Sequence, residues 1–370
     1  MGDNARFARV STRHRPCPAQ LDIEHLRTRL RGLGAKPCHE AGLMRRWTHA
    51  RALAGDRRRP ADFLPAALDR VLPQLQAELD ALLRVRSEHP GEDGSARLLL
   101  DLADGQAIEA VLLPRGGLCV STQVGCAVGC VFCMTGRAGL AQQLGSAEIV
   151  AQVALARARR PVRKVVFMGM GEPAHNLDAV MDSIELLALH GGIGHKELVL
   201  STVGDRRVFE RLPCGPVKPA LALSLHTTRA DLRERLLPRA PRIEPAELVE
   251  LAEAYARASG YPVQFQWTLI EGVNDGDDEV DGIARLLAGK YAVMNLIPYN
   301  TLPDLPYRRP SWERAAAMAR ALHRRGVLAK LRHSAGQDVD AGCGQLRART
   351  IPIAAAAVVP VHVAAPARLV

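Results

Sequence analysis

Cys126, Cys130 and Cys133 place three thiols within the eight-residue string Cys-Ala-Val-Gly-Cys-Val-Phe-Cys. Thiolates at that spacing can wrap one metal centre from a single loop. A four-iron cluster takes four ligands, so three cysteines leave one iron open. That iron can chelate the amino and carboxylate groups of S-adenosylmethionine (SAM) and pass an electron to its sulfonium, which yields a 5′-deoxyadenosyl radical. Gly125 and Gly129 let the loop curl, and Phe132 is placed to shield the adenine. The competing chemistry is a zinc site completed by Cys119 or a histidine. Zinc ligands usually pair as two knuckles, and no second knuckle is present.

Downstream, Phe167-Met-Gly-Met-Gly-Glu-Pro173 ends an apolar run with two glycines and an acid. The glycines permit close backbone approach, and Glu172 can hold the ammonium of SAM. Cys119 lies seven residues before Cys126, and glycines flank Cys343 on both sides, which predicts an accessible loop. Cys17, Cys38 and Cys214 read as inert small core residues. His226 is the best-placed histidine, directly after an apolar run, whereas His175, His190, His195, His323 and His333 read as surface or helix-end residues. Asn274-Asp-Gly-Asp-Asp278 lacks the closing glutamate of a calcium loop, since Arg285 stands there, and reads as a turn and helix cap.

The elements that must position these groups alternate. Apolar runs at 118–123, 164–169, 197–203, 219–225, 263–270, 292–297 and 327–332 read as strands. Helical spacing falls between them near 146–159, 177–190, 244–259, 277–288 and 311–325. Strand–helix alternation implies a parallel α/β sheet, with chemistry at the C-terminal strand ends, where the motifs lie. Residues 21–85 read as helical. Residues 95–114 form two β-like runs around Asp104-Gly105, a hairpin signal. The organisation expected is a flexible arm (1–20), a helical accessory RNA-binding domain (21–90), a β-hairpin extension (91–117), the catalytic core (118–347) and a low-complexity tail (348–370).

At 370 residues, 48% of them apolar, the chain can bury a full core. It shows no signal core and no membrane-length apolar run, so the expectation is a cytoplasmic protein with no membrane partner. Crowded cysteines in a reducing compartment argue for metal or catalysis rather than disulfides. The net charge is +10, with 14 Lys/Arg against 5 Asp/Glu in residues 1–60, and a second basic run surrounds Arg308, Arg309, Arg320, Arg324, Arg325, Lys330 and Arg332. Clustered arginine suits a nucleic-acid backbone.

Together these residues resemble the RlmN/Cfr radical-SAM methyltransferases, which methylate an adenine ring carbon in RNA. The resemblance spans roughly residues 21–347 through LCVSTQVGCAVGCVFC, VVFMGMGEPAHNLD, LVLSTVGD, ALSLH, EGVNDGDD, NLIPYN and DVDAGCGQL. It departs at Thr227–Arg229, Leu237–Pro241 and Cys38–Ala41, which points to a divergent branch. It implies a radical-SAM partial (β/α)6 barrel, one [4Fe-4S] cluster on Cys126, Cys130 and Cys133, and two SAM molecules per turnover. Cys343 would accept a methyl group, Cys119 would be the resolving thiol that pairs transiently with it, and Glu109 the proton acceptor. Gly171, Glu172, Ser201, Ser224, Leu225, His226 and Asn300 would contact SAM. The implied product is carbon-2-methyladenosine in rRNA or tRNA, with carbon 8 as runner-up; a flavodoxin-type electron donor and a thiol reductant would serve a monomeric enzyme. Two other classes stay open, a radical-SAM enzyme on a non-RNA substrate and a zinc-dependent RNA-binding protein. The basic N-terminal segment and the two extra thiols argue against the first; the second would purify colourless under anaerobic conditions, whereas a four-iron cluster gives a brown protein with about four irons per chain.

Overall fold

A computed structural model describes residues 21–55, 63–302 and 305–348. The arm, all but the first residue of the tail, and Cys17 fall outside the described residues. Three helices begin the described chain: α1 (Ile23–Gly32), α2 (Pro37–Thr48) and α3 (Ala66–Asp80). Leu26, Leu30, Leu43, Trp47, Leu68, Leu72, Leu75 and Leu79 bury their apolar stripes. This unit is tied to the core by polar bonds as well as packing. Ile23 N–H donates to Ser146 Oγ (2.8 Å), Ser146 N–H to Asp22 Oδ1 (2.9 Å), and Arg157 Nη1 to the Thr48 carbonyl (2.7 Å).

The helical reading of 21–85 stops at Asp80. Leu83–Pro90 is a strand, β1, paired antiparallel with β2 (Ala96–Leu102), which pairs with β3 (Ala107–Leu113). The extension is therefore three-stranded, and Gly105 (φ +88°) turns the expected hairpin between β2 and β3.

β3 pairs antiparallel with β4 (Gly117–Cys119), which opens the parallel sheet. A small hairpin, β5 (Gln123–Gly125) and β6 (Leu140–Gln143), brackets the three-cysteine loop. The chain then alternates: α4 (Ser146–Arg157), β7 (Lys164–Phe167), α5 (Leu177–Leu189), β8 (Leu198–Thr202), α6 (Arg206–Arg211), β9 (Ala220–Ser224), α7 (Ala230–Leu236) and α8 (Pro245–Ser259). It ends with β10 (Val263–Leu269), α9 (Asp277–Leu287), β11 (Ala292–Pro298), α10 (Trp312–Arg324) and β12 (Ala329–Leu331). The sheet order is β1-β2-β3-β4-β7-β8-β9-β10-β11-β12, parallel from β4 onward. Sequential parallel neighbours make six strand–helix units closed by β12, the partial barrel of the radical-SAM fold. No helix among the described residues is long and apolar enough to cross a membrane.

Candidate active site

Every crossover leaves the C-terminal end of a parallel strand on the same side, and a cavity of about 270 Å³ opens there. The three-cysteine loop forms one wall. Its curl depends on glycines in left-handed conformation: Gly125 has φ +79° and Gly129 φ +67°. A Cβ on Gly125 would stand 2.1 Å from the Gly139 carbonyl oxygen. The loop is also pinned from outside, by Cys126 N–H to Gly139 O (2.9 Å), Val131 N–H to Leu236 O (3.1 Å) and Arg239 N–H to Val128 O (3.2 Å). Cys126, Cys130 and Cys133 all line the cavity as free thiols. Burial pushes the Cys126 thiol up to about 12, and burial together with Cys133 and Cys126 raises Cys130 well above its usual value. Such thiols ionise when a metal centre supplies the compensating charge. Among the described residues no group of three or more His, Cys, Asp or Glu side chains converges as a single-ion site. A four-iron cluster is larger, and three soft donors on one loop fit it.

The opposite wall is built from the ends of β7, β8 and β9. Gly171 (φ +106°) lies so close to Thr122 and Gln123 that a Cβ would come within 2.7 Å of both. That tight turn buries Glu172, whose Oε1 accepts from Ala174 N–H (3.0 Å) and Oε2 from Val203 N–H (3.0 Å). Burial raises its carboxyl above the usual range, opposed by hydrogen bonds from Thr202, Ala174 and Val203. Ser201, Ser224 and His226 line the same cavity. His226 is a non-glycine residue at φ +63°. Asn274 holds it there, its Nδ2 donating to the His226 carbonyl (2.7 Å). Thr268 N–H donates to His226 Nδ1 (3.0 Å), which leaves Nε2 as the protonated nitrogen of a neutral ring. Burial, then the charge of Arg233, lowers His226 to about 3, and its ring meets Phe132 edge-on at 4.9 Å. Leu225 is wholly buried and offers only backbone. Asn300 stands behind the wall, donating from Nδ2 to Ser334 Oγ (3.0 Å) and to the Cys343 carbonyl (3.0 Å).

Cys119 and Cys343 line this cavity too. Cys119 ends β4 and is buried, while Cys343 is exposed on the loop after β12, as its flanking glycines predicted. Burial, then the negative charge of a Cys343 thiolate, pushes Cys119 up to about 12. Cys343 keeps solvent contact as a residue, yet the protein around its thiol raises it by desolvation, against a hydrogen bond from Ser334. Glu109, on β3, is fully buried and lies outside the cavity lining. Its Oε1 pairs with Arg97, and its Oε2 accepts from the backbone N–H of Arg347 (2.7 Å) and Ala348 (3.2 Å).

Two readings of lone cysteines are corrected. Cys38 and Cys214 are exposed rather than packed in the core, because each sits on the solvent side of a helical turn. The run 274–278 does turn into α9, but Asn274 is fully buried and serves His226 rather than capping the helix. Sequence reasoning also passed over Arg97 and Arg233, and it missed the role of Asn274. Arg233 is buried on α7 and bonds the carbonyls of Val203 and Ser224, bracing the ends of β8 and β9. Two leucines flank it on the buried side of that short helix, so it carried no pattern that marked it out. The second basic run is mostly open to solvent. Arg320, Arg324 and Lys330 are exposed and make no ion pair among the described residues.

Comparisons with known proteins agree with this geometry. Residues 120–287 match the Radical SAM superfamily. A protein of Leptothrix cholodnii named "Probable RNA methyltransferase" is 72% identical over 331 residues, covering 90% of this chain and 95% of that protein. A protein of the same description from Pseudomonas aeruginosa is 65% identical over 328 residues, covering 88% and 95% respectively. The crystal structure of a radical SAM methyltransferase from Sphaerobacter thermophilus superposes with a TM-score of 0.76 at 37% identity, over 89% of this chain and 98% of that one.

Proposed function

This chain belongs to the RlmN/Cfr-like family of radical-SAM RNA methyltransferases, and from that premise we propose that it methylates carbon 2 of an adenosine in ribosomal or transfer RNA. An adenine ring carbon is electron-poor, so a methyl cation equivalent has nothing to react with there, whereas a carbon radical adds to it. The chemistry therefore needs a radical source and a methyl carrier in one cavity.

Cys126, Cys130 and Cys133 would hold the cluster, with Gly171, Glu172, Ser201, Ser224, Leu225, His226 and Asn300 shaping the SAM cradle. A cluster held there would supply one-electron chemistry, reducing SAM to release a radical and accepting an electron when the adduct resolves. In the proposed sequence Cys343 first takes a methyl group from one SAM through its sulfur. After loss of a hydrogen atom from that methyl, the carbon joins the ring and links the RNA to Cys343. Glu109 accepts the ring proton, its Oε2 freed as the Arg347 and Ala348 amides move off it. Cys119 then attacks the Cys343 sulfur; the carbon–sulfur bond breaks, the methyl carbon takes a proton and a disulfide remains. A thiol reductant reopens that disulfide, and a flavodoxin-type donor feeds electrons to a monomeric enzyme.

What supports the reading is the meeting of Cys119 and Cys343 in the cavity that the three cluster cysteines line. A radical-SAM enzyme acting on a small molecule has no use for that pair. The test is mass spectrometry of nucleosides from RNA treated with the anaerobic holoenzyme. 2-Methyladenosine is expected; 8-methyladenosine would move the target to carbon 8, and no methylated adenosine would refute the assignment. Cys119→Ala should accumulate a covalent RNA adduct at Cys343. Methylation that proceeds in that variant without an adduct removes Cys119 from the scheme.

A further inference from the structure

The loop that carries Cys343 is gripped at both ends by the three-stranded extension. At its entry, Gly336 N–H donates to Asp93 Oδ2 (3.0 Å), and Glu92 N–H donates to Asp338 Oδ2 (2.9 Å). Asp93 also holds its own turn, accepting from Ser95 N–H through Oδ1 (2.9 Å). The contact is close, and Gly336 there lies in the left-handed region (φ +64°) with Ala341 Cβ 2.7 Å from where its own Cβ would stand. A Cβ on Gly336 would come within 2.7 Å of Ser95 Oγ, and one on Gly91 within 2.8 Å of the same atom. At its exit, the Arg347 and Ala348 amides bond Glu109, which Arg97 on β2 neutralises.

The same extension fixes Cys119. β3 pairs with β4 in the register Val111↔Cys119, two residues beyond Glu109. Both ends of the Cys343 loop and the strand bearing Cys119 are thus referred to one rigid antiparallel unit. Hydrogen bonds to charged groups are the stronger kind; the carboxylates of Asp93 and Asp338 are committed to backbone amides at the entry, and Glu109 holds the exit in this resting arrangement.

We propose that the β1–β3 extension is a clasp that positions Cys343 against Cys119, with Asp93 and Asp338 as its positioning residues. The inference rests on the thiol-relay reading of those two cysteines. Without the clasp, the loop would keep its bonds to the cluster loop and to Asn300 but would sample a wider volume, and the two sulfurs would meet less often.

The anaerobic holoenzyme is equilibrated with glutathione and its disulfide, acid-quenched, alkylated and mapped. Formation of the Cys119–Cys343 disulfide consumes one oxidised glutathione and releases two reduced molecules, so its equilibrium gives the effective concentration of one thiol at the other. The Asp93→Ala/Asp338→Ala variant should lose that effective concentration by about tenfold or more. Its iron content and its SAM cleavage without RNA should be unchanged, and Asp338→Asn should fall between. Amide exchange over residues 336–348 should accelerate in the double variant by a similar factor. An effective concentration within twofold of the wild type, or unchanged exchange, overturns the clasp. A wild-type protein that forms no Cys119–Cys343 disulfide at all refutes the thiol relay instead, and the exchange measurement then decides the clasp alone.

Discussion

The buried position of Cys119 makes the resolution step sensitive to pH in a calculable way. Burial is the larger cause of the rise of its thiol to about 12 and persists in the adduct, whereas the Cys343 thiolate charge does not; as few as about one molecule in ten thousand is then ionised at pH 8, against about a quarter for an ordinary thiol of pKa near 8.5. A more basic thiolate is a better nucleophile; a Brønsted coefficient of about 0.45 over about 3.5 pH units returns roughly 40-fold. The net expectation is resolution slower than by an unburied thiol at pH 8, by up to about 60-fold, and rising about tenfold per pH unit. Rapid-quench single turnovers between pH 7 and 9 would follow the Cys343–RNA adduct on denaturing gels. Its decay should steepen with unit slope in log rate against pH, while the adduct of Cys119→Ala persists throughout. A flat profile would mean that Cys119 is already ionised or is deprotonated by a neighbouring base, and the burial argument would fail.

Three further outcomes follow from the same geometry. Glu172 has a raised carboxyl pKa and holds a cation best when ionised. SAM affinity should be full at neutral pH and weaken up to tenfold per unit on acidification, starting above the usual carboxylate range; calorimetry from pH 5 to 8 reads it, and Glu172→Gln should abolish the dependence while weakening binding roughly 10- to 100-fold. Gly125→Ala combines φ +79° with a Cβ 2.1 Å from the Gly139 oxygen, so the cluster loop should be strained by about 1–3 kcal/mol or displaced, seen as iron per chain well below that of the wild type. Replacing Arg320, Arg324 and Lys330 together by alanine should flatten the salt dependence of RNA binding by about two units of slope if each meets a single-strand phosphate, with RNA-independent SAM cleavage intact; an unchanged slope would place the RNA elsewhere.

Much of the parallel core was legible because strands buried on both faces are short apolar runs punctuated by glycine and proline. Lys164–Phe167, Leu198–Thr202 and Ala220–Ser224 all fall inside the runs read from sequence. β1 was not legible. In Leu83-Arg-Val-Arg-Ser-Glu-His-Pro only Leu83 is buried, so the segment is a strand only because β2 lies beside it. α6 and α7 span six and seven residues, too short for a helical period to declare itself. The cluster loop could be read because its ligands are local in sequence. The Arg97–Glu109 pair could not, since it depends on which residues of two strands face each other, and the clasp on Cys343 joins residues some 240 positions apart.

The proposed reaction asks one cavity to serve two different uses of SAM, and the wiring of the Cys343 loop shows how a single cradle can do so. The loop is bonded directly to the residues that follow the cluster cysteines: Met134 N–H donates to Gly344 O (2.8 Å), and Thr135 Oγ1 to Leu346 O (2.6 Å). A Cβ on Gly344 would come within 3.1 Å of the Phe132 carbonyl oxygen. The methyl carrier and the cluster site are therefore one backbone hydrogen bond apart. Among the described residues there is one buried carboxylate, Glu172, at the strand ends of that cavity. Two SAM molecules drawing on it must come in turn. In the proposed sequence the first would leave its methyl group on Cys343 and depart before the second reaches the same carboxylate. A storage step on sulfur would fit that order, because a methyl group held by Cys343 would stay beside the cluster loop while the cradle is emptied and refilled.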